Sequence, residues 1–177
     1  ITVDDVMDEV REQAERDYQL ASGLSQDVES HDNVFRQTTA RLPWLLIGML
    51  GGIGNSMILG NFDSTFAAHP EMALYIPLIG GTGGNVGTQS SALVVQGLAN
   101  SSLDSGNTLQ QVLKESVVAL INATIISMLV YIYNFIRFGA TATVSYSVSI
   151  SLFAVVMFAS IFGTLVPMTL EKLKVDP

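Results

Sequence analysis

The fold is decided by the stretch Gly80-Gly81-Thr82-Gly83-Gly84-Asn85-Val86-Gly87-Thr88-Gln89-Ser90-Ser91, which lies near the middle of residues 72–103. Residues 72–103 carry no charged side chain, and an uncharged run of this length predicts a segment that crosses a membrane. Five glycines within eight residues predict irregular backbone. At membrane depth, irregular backbone persists only where protein buries it or where it lines a watery cavity. We therefore expect a span that is broken at its glycines and lies beside a transport pathway.

The composition also indicates a membrane protein. Of the 177 residues, 49% are hydrophobic and 14% are charged, whereas soluble domains average about 25% charged residues. The chain has no cysteine, so disulfides and thiolate-bound metals are excluded within it. Its net charge is −8, and most of the acidic side chains lie before residue 41. Such a segment repels nucleic acid and attracts cations, so we expect no nucleic-acid partner.

The hydrophobic pattern predicts an all-α, polytopic membrane helical bundle with a lipid bilayer as its surroundings. Four blocks meet the length of about 20 residues that crosses the hydrocarbon core; they lie at about 42–62, 72–99, 115–136 and 148–170. Pro43 is expected in the first turn of the first span, where proline is tolerated. Residues 139–147 are expected to form a turn. No acid lies inside the uncharged stretches of these spans.

The N-terminal part is predicted to be a separate cytosolic region. Val6, Val10, Ala14 and Tyr18 recur about every fourth residue, which is typical of an amphipathic helix, and Gly23 is expected to end it. We assign residues 1–24 to this region, 25–41 to a linker with an amphipathic entry, and 42–177 to the transmembrane domain.

Basic residues predict the orientation of the spans. Of the six basic residues near the spans, a cytoplasmic N-terminus places five inside, namely Arg36, Arg41, Lys114, Lys172 and Lys174, and only Arg137 outside. This distribution follows the positive-inside rule.

The glycine segment offers ligands for a hard divalent ion. Magnesium prefers oxygen ligands and gives up its water reluctantly; the segment supplies backbone carbonyls, hydroxyls and the amides of Asn85 and Gln89. A phosphate-binding loop needs lysine after its last glycine, whereas Thr88 follows Gly87. The potassium-filter pattern is also absent from the sequence. A flexible kink without ion contact remains open on the pattern alone.

Three stretches resemble the MgtE-type magnesium channels. Pro77–Ser91 looks like the signature of that family, and Arg41-Leu42-Pro43-Trp44-Leu45-Leu46 resembles the start of its first membrane helix. Ile1-Thr2-Val3-Asp4-Asp5-Val6 is similar to the end of the regulatory CBS pair that leads into the connecting, or plug, helix. The resemblance implies a homodimer in a bacterial inner membrane, five membrane helices per subunit and Mg²⁺ as both transported and regulatory ion, with no organic cofactor.

The resemblance also implies roles for individual residues. Pore lining transfers to Gly83, Gly84, Asn85, Gly87 and Gln89, and sensing of cytosolic Mg²⁺ transfers to Asp5, Asp8 and Glu12. The family's fifth helix carries the main pore aspartate, and this chain is expected to be a fragment that stops before it.

Three functions are compatible with these sequence features. The leading prediction is a magnesium channel that is gated by cytosolic Mg²⁺ and conducts a hydrated ion. An ion-coupled divalent cation transporter and a non-transporting membrane scaffold are the alternatives. An enzyme is not expected, because the sequence shows no nucleophile with a nearby base.

Overall fold

The computed structural model describes residues 3–25, 28–99, 108–139 and 143–173. In this part of the chain it has helices and no strand, which confirms the all-α class. The helices are α1 (Val3–Ala21), α2 (Val34–Gly60), α3 (Asp63–Ala68), α4 (Pro70–Ala73), α5 (Ile76–Ala99), α6 (Thr108–Phe138) and α7 (Thr143–Lys172).

Three of the described helices are long and apolar enough to cross a membrane: α2, α6 and α7. They coincide with the first, third and fourth predicted spans, and the protein is an integral membrane protein. The second predicted span, 72–99, corresponds to α5, which is 24 residues long but is not among the three. Its glycines and amides lower its apolar content, so a crossing by α5 stays a prediction.

The predicted break at the glycines is wrong. Helix α5 runs without interruption from Ile76 to Ala99, and within the described residues only Gly23 and Gly139 have positive φ. Glycine costs about 1 kcal/mol relative to alanine in a helix, but it adopts helical angles freely. Keeping every backbone hydrogen bond inside the helix avoids the larger cost of an unsatisfied group in lipid.

Several helix boundaries also differ from the prediction. Helix α2 begins at Val34, because the Asn33 side chain accepts hydrogen bonds from the backbone N–H groups of Phe35 and Arg36 at 2.7 and 3.2 Å. The amphipathic entry expected at the end of 25–41 coincides with the first turns of α2, which continues into the first span, and Pro43 therefore lies inside α2, not in its first turn. Helix α7 begins at Thr143, which shortens the predicted turn at 139–147; residues 140–142 lie outside the described residues.

The chain divides into two compact units, residues 1–63 and 64–177. In the first unit, α1 ends at Ala21, followed by Gly23 with φ +81°, as predicted. The side chain of Gln19 exchanges two 3.0 Å hydrogen bonds with the backbone of Val28. The Ser25 N–H and hydroxyl both donate to the Ala40 carbonyl. These bonds hold the connection between α1 and α2 in one conformation.

Beyond Trp44, the membrane portion of α2 is hardly covered within the first unit. No residue in the most apolar 18-residue window of the helix is buried. A Cβ added to any glycine of α2, including the expected packing pair Gly48 and Gly52, would have no neighbouring atom within 4 Å. An apolar helix with bare sides requires lipid or another protein surface.

In the second unit, α7 packs against both α5 and α6. Leu152 and Val156 of α7 are fully buried with Ala123 of α6. A second cluster joins Tyr75, just before α5, to Val144 and Val148. These apolar contacts align the three helices and fix which faces of α5 are covered.

Candidate functional site

One face of α5 is pressed closely against α7 through glycines. A Cβ added to Gly83 would come 2.6 Å from Val155 Cγ1, and one added to Gly163 would come 2.6 Å from the Gly87 carbonyl oxygen. The Ser91 hydroxyl donates to the Gly163 carbonyl at 2.9 Å. Small residues let helix backbones approach in this way, so Gly83 and Gly87 have a packing role in this structure.

The opposite face of α5 is exposed and carries the amides. Gly84, Asn85 and Gln89 are all exposed. A Cβ added to Gly84 would have no neighbouring atom within 4 Å. The five residues predicted to line a pore are thus separated onto two faces: Gly83 and Gly87 toward α7, and the other three away from it. The sequence motif therefore places these five residues on one helix, but they do not share one face of it.

A carboxylate cluster joins the three helices beside this motif. Ser90 of α5 donates to Oε1 of Glu115 at 2.7 Å, and Ser160 of α7 donates to the same oxygen at 2.8 Å. The two hydroxyl oxygens lie 3.0 Å apart. Ser90 and Ser160 are almost fully buried, and Glu115 is half-buried.

Sequence reasoning missed Glu115, because it precedes the uncharged stretch that predicts the third span. Helix α6 begins at Thr108, seven residues earlier, so Glu115 lies within the helix. A hydroxyl aligned with an acid from another helix is a long-range relationship, and local hydropathy carries no signal for it.

A cavity of about 360 Å³ lies next to Glu115. It is lined from all three helices; the polar residues among its lining are Gln89, Ser90, Gln111, Lys114, Glu115, Asn122 and Ser160. Gln89 borders the cavity and is also exposed, so it lies at the edge between the amide face of α5 and this space.

The opposite end of the bundle has a different character. The Tyr75 hydroxyl donates a hydrogen bond to Oδ1 of Asn134, which is fully buried. Among the residues that the structure describes, the Asn134 amide nitrogen and the Ser127 hydroxyl have no hydrogen-bond partner. The Tyr75–Asn134 hydrogen bond therefore links the start of α5 to α6 at this end.

The predicted sensing residues lie along α1. Asp5, Asp8 and Glu12 are exposed, and spacings of three and four place them on one face of the helix. Glu12 accepts a hydrogen bond from Arg16 at 3.1 Å, so a basic side chain already pairs with one of the three acids. Within the described residues, no group of three or more acids or histidines is arranged to hold a metal ion.

Comparison with known proteins identifies relatives of the chain. Residues 76–177 match the MgtE family, described as a divalent cation transporter. The chain is 33% identical to the magnesium transporter MgtE of Thermus thermophilus. It is 29% identical to the proteins of the same name in Bacillus subtilis and Enterococcus faecalis.

Each of these alignments covers 100% of the chain and 39% of the relative. The chain therefore spans about two fifths of the length of the curated relatives that it matches. The names of these relatives describe transporters and not enzymes.

Proposed function

Because the chain belongs to the MgtE family of divalent cation transporters, we propose that the protein carries Mg²⁺ across a lipid bilayer. The exposed face of α5 lies along the ion path in this proposal. Asn85 and Gln89 contact the ion or its water, and Gly84, directly before Asn85, adds no side chain that would crowd this face.

The exposed amide face of α5, a helix without a charged side chain, supports this proposal most directly. Asn85 and Gln89 are exposed, while the far side of α5 is packed against α7 through Gly83. Polar side chains in a membrane helix normally face a cavity or another protein surface, not lipid. Amide oxygens and water are the kinds of ligand that a partly hydrated Mg²⁺ accepts.

A homodimeric channel is the arrangement that we propose around this face. Helix α2 presents bare apolar sides, and α5 presents a polar one. A second copy related by a two-fold axis would cover part of each and enclose a path between two α5 faces. The positive-inside distribution supports a cytoplasmic N-terminus in this arrangement.

The acids of α1 are proposed to sense cytosolic Mg²⁺. Asp5, Asp8 and Glu12 form a negative face along this helix, and a divalent cation would be attracted to it. A cation must compete with Arg16 for Glu12. Replacing the three acids by their amides should leave the flux high at cytosolic Mg²⁺ concentrations that close the parent protein.

The test is Mg²⁺ flux into liposomes that contain the full-length protein. Asn85→Ala should reduce the flux at least several-fold without affecting insertion, while Gln110→Ala, which removes an exposed amide near the start of α6, should leave it unchanged. If the Asn85→Ala variant passes Mg²⁺ as fast as the Gln110→Ala variant does, Asn85 does not contact the ion path.

The same assay separates the alternative functions. Flux without a sodium or proton gradient supports a channel, whereas flux that requires such a gradient supports an ion-coupled transporter. An inserted parent protein with no Mg²⁺ flux under either condition would favour the scaffold.

A further inference from the structure

The Glu115 cluster has features that packing alone does not require. Both serine hydroxyls donate to a single carboxylate oxygen, Oε1. Among the described residues, Glu115 has no ion-pair partner and no hydrogen bond to its other oxygen, Oε2. Glu115 lies at the edge of the predicted third span, next to the uncharged stretch, and an ionisable residue that contacts buried side chains there generally serves a ligand or a partner charge.

The donor set around the cavity selects one class of ligand. Glu115 supplies a carboxylate, Ser90 and Ser160 supply hydroxyl oxygens, and Gln89 and Asn122 supply amide oxygens. Carboxylate, hydroxyl and amide oxygens are ligands of hard cations. The serine hydroxyls use their protons toward Glu115, so their lone pairs stay available to a cation or its water.

The size of the cavity fits an ion that keeps its water. Six water molecules at about 30 Å³ each occupy roughly 180 Å³, and the cavity measures about 360 Å³. A divalent ion such as Mg²⁺, which dehydrates reluctantly, is accommodated without losing its shell.

We infer that Glu115, Ser90 and Ser160 form a binding site for a hydrated divalent cation in the partly open cavity between α5, α6 and α7 of each subunit. The site is distinct from the exposed Asn85 face, and Gln89 borders both. The inference rests on the proposed function for its choice of ion. The site is a second binding position for the ion, beside the proposed path. Each chain forms this site from its own α5, α6 and α7.

Lys114 gives the site an internal competitor. Its side chain lines the same cavity, and an ammonium there repels a divalent cation. Lys114→Met should therefore bind the cation more tightly than the parent protein does. A purely structural role for the cluster predicts no gain, so the sign of this change separates binding from packing.

The direct experiment counts Mn²⁺ ions bound to the full-length protein by electron paramagnetic resonance, with Mn²⁺ as the probe. Glu115→Gln keeps an acceptor oxygen for both serines but removes the charge. This variant should bind one fewer Mn²⁺ per chain, and its melting temperature without metal should match that of the parent. Glu71→Gln, which removes another partly buried acid of the same unit, should keep the full count.

A full Mn²⁺ count in Glu115→Gln would overturn the site. If that variant does not fold, Ser160→Ala takes its place and should bind the ion about tenfold more weakly, a difference of about 1.4 kcal/mol; unchanged affinity would equally overturn it. Binding and flux are separate readouts. A parent protein that binds the ion at Glu115 but passes no Mg²⁺ in liposomes contradicts the proposed transport and not the site.

Discussion

Gly163 of α7 and Gly87 of α5 meet backbone to backbone, so that a Cβ at position 163 would come 2.6 Å from the Gly87 carbonyl oxygen. The same Cβ would lie 3.1 Å from Cβ of Ser90, which donates to Glu115. This close approach holds α5 and α7 together at the level of the carboxylate cluster. The spacing of the two helices and the geometry of the cluster are therefore linked.

Gly163→Ala should destabilise the membrane unit. The new methyl group meets backbone that cannot move without separating the helices, and overpacking of this kind costs about 1–3 kcal/mol. Gly81→Ala is the matched control, because Gly81 has open space around it and alanine favours a helix by about 0.5–1 kcal/mol. Thermal unfolding in detergent measures both; a Gly163→Ala variant as stable as Gly81→Ala would refute the close contact.

Tyr75→Phe should destabilise the opposite end of the bundle by about 1–3 kcal/mol, because it leaves the buried Asn134 oxygen without its donor. Tyr133→Phe removes a hydroxyl that accepts from Arg137 at an exposed position and should cost less than about 0.5 kcal/mol. The two unfolding free energies are compared directly. Similar losses of unfolding free energy in the two variants would show that the Tyr75–Asn134 hydrogen bond stabilises the protein no more than the exposed Arg137–Tyr133 bond does.

These contacts show what the sequence could and could not predict. Hydropathy located α2, α6 and α7, since each reads as a long apolar run, and Gly23 marked the end of α1. The glycines of α5 suggest a break because their local freedom is visible in the sequence, whereas their partners, Val155 and Gly163, lie more than 70 residues away. The site at Glu115 was hidden for a similar reason, because it depends on serines from two other helices that lie 25 and 45 residues away in the sequence.

Gly23→Ala should disturb the connection between α1 and α2 more than Gly139→Ala disturbs the start of α7. Both glycines have positive φ, where alanine is strained by about 1 kcal/mol. Only Gly23 also meets a side chain, because its Cβ would lie 2.6 Å from Cδ1 of Trp44, while Gly139 has open space.

Fluorescence and amide exchange report this difference. In Gly23→Ala the indole of Trp44, the one tryptophan of the chain, must move, so its emission should shift and the Ser25 amide should exchange faster. An unchanged emission spectrum in Gly23→Ala would contradict the contact between Gly23 and Trp44.

The turn before α2 should lose its order only in strong acid. The Glu29 N–H donates to Asp32 at 2.8 Å, and this bond, followed by the charge of Arg36, holds the pKa of Asp32 below its ordinary value of 3.8. Because the folded pKa is the lower one, the stabilisation is fully present above pH 3.8 and is lost as the pH falls through the folded pKa.

Exchange of the Glu29 amide proton, followed against pH, measures this effect. Protection, corrected for the intrinsic exchange rate, should be constant above about pH 4 and fall below it. In the Asp32→Asn variant, the Glu29 amide proton should be less protected, and its protection should not change with pH in this range. A step in the parent protein above about pH 5 would assign the titration to another group.

If the exposed face of α5 lines a watery path for Mg²⁺, a thiol placed on that face should react with a water-soluble reagent, and cysteine accessibility measures this directly. The chain contains no cysteine, so an Asn85→Cys variant places one thiol on that face, and Ile121→Cys places one on an exposed apolar position of α6. In liposomes, a charged thiol reagent should modify the Asn85→Cys variant, block its Mg²⁺ flux and be slowed by Mg²⁺, while the Ile121→Cys variant stays unmodified in lipid. An unreactive Asn85→Cys variant with undiminished flux would contradict the account.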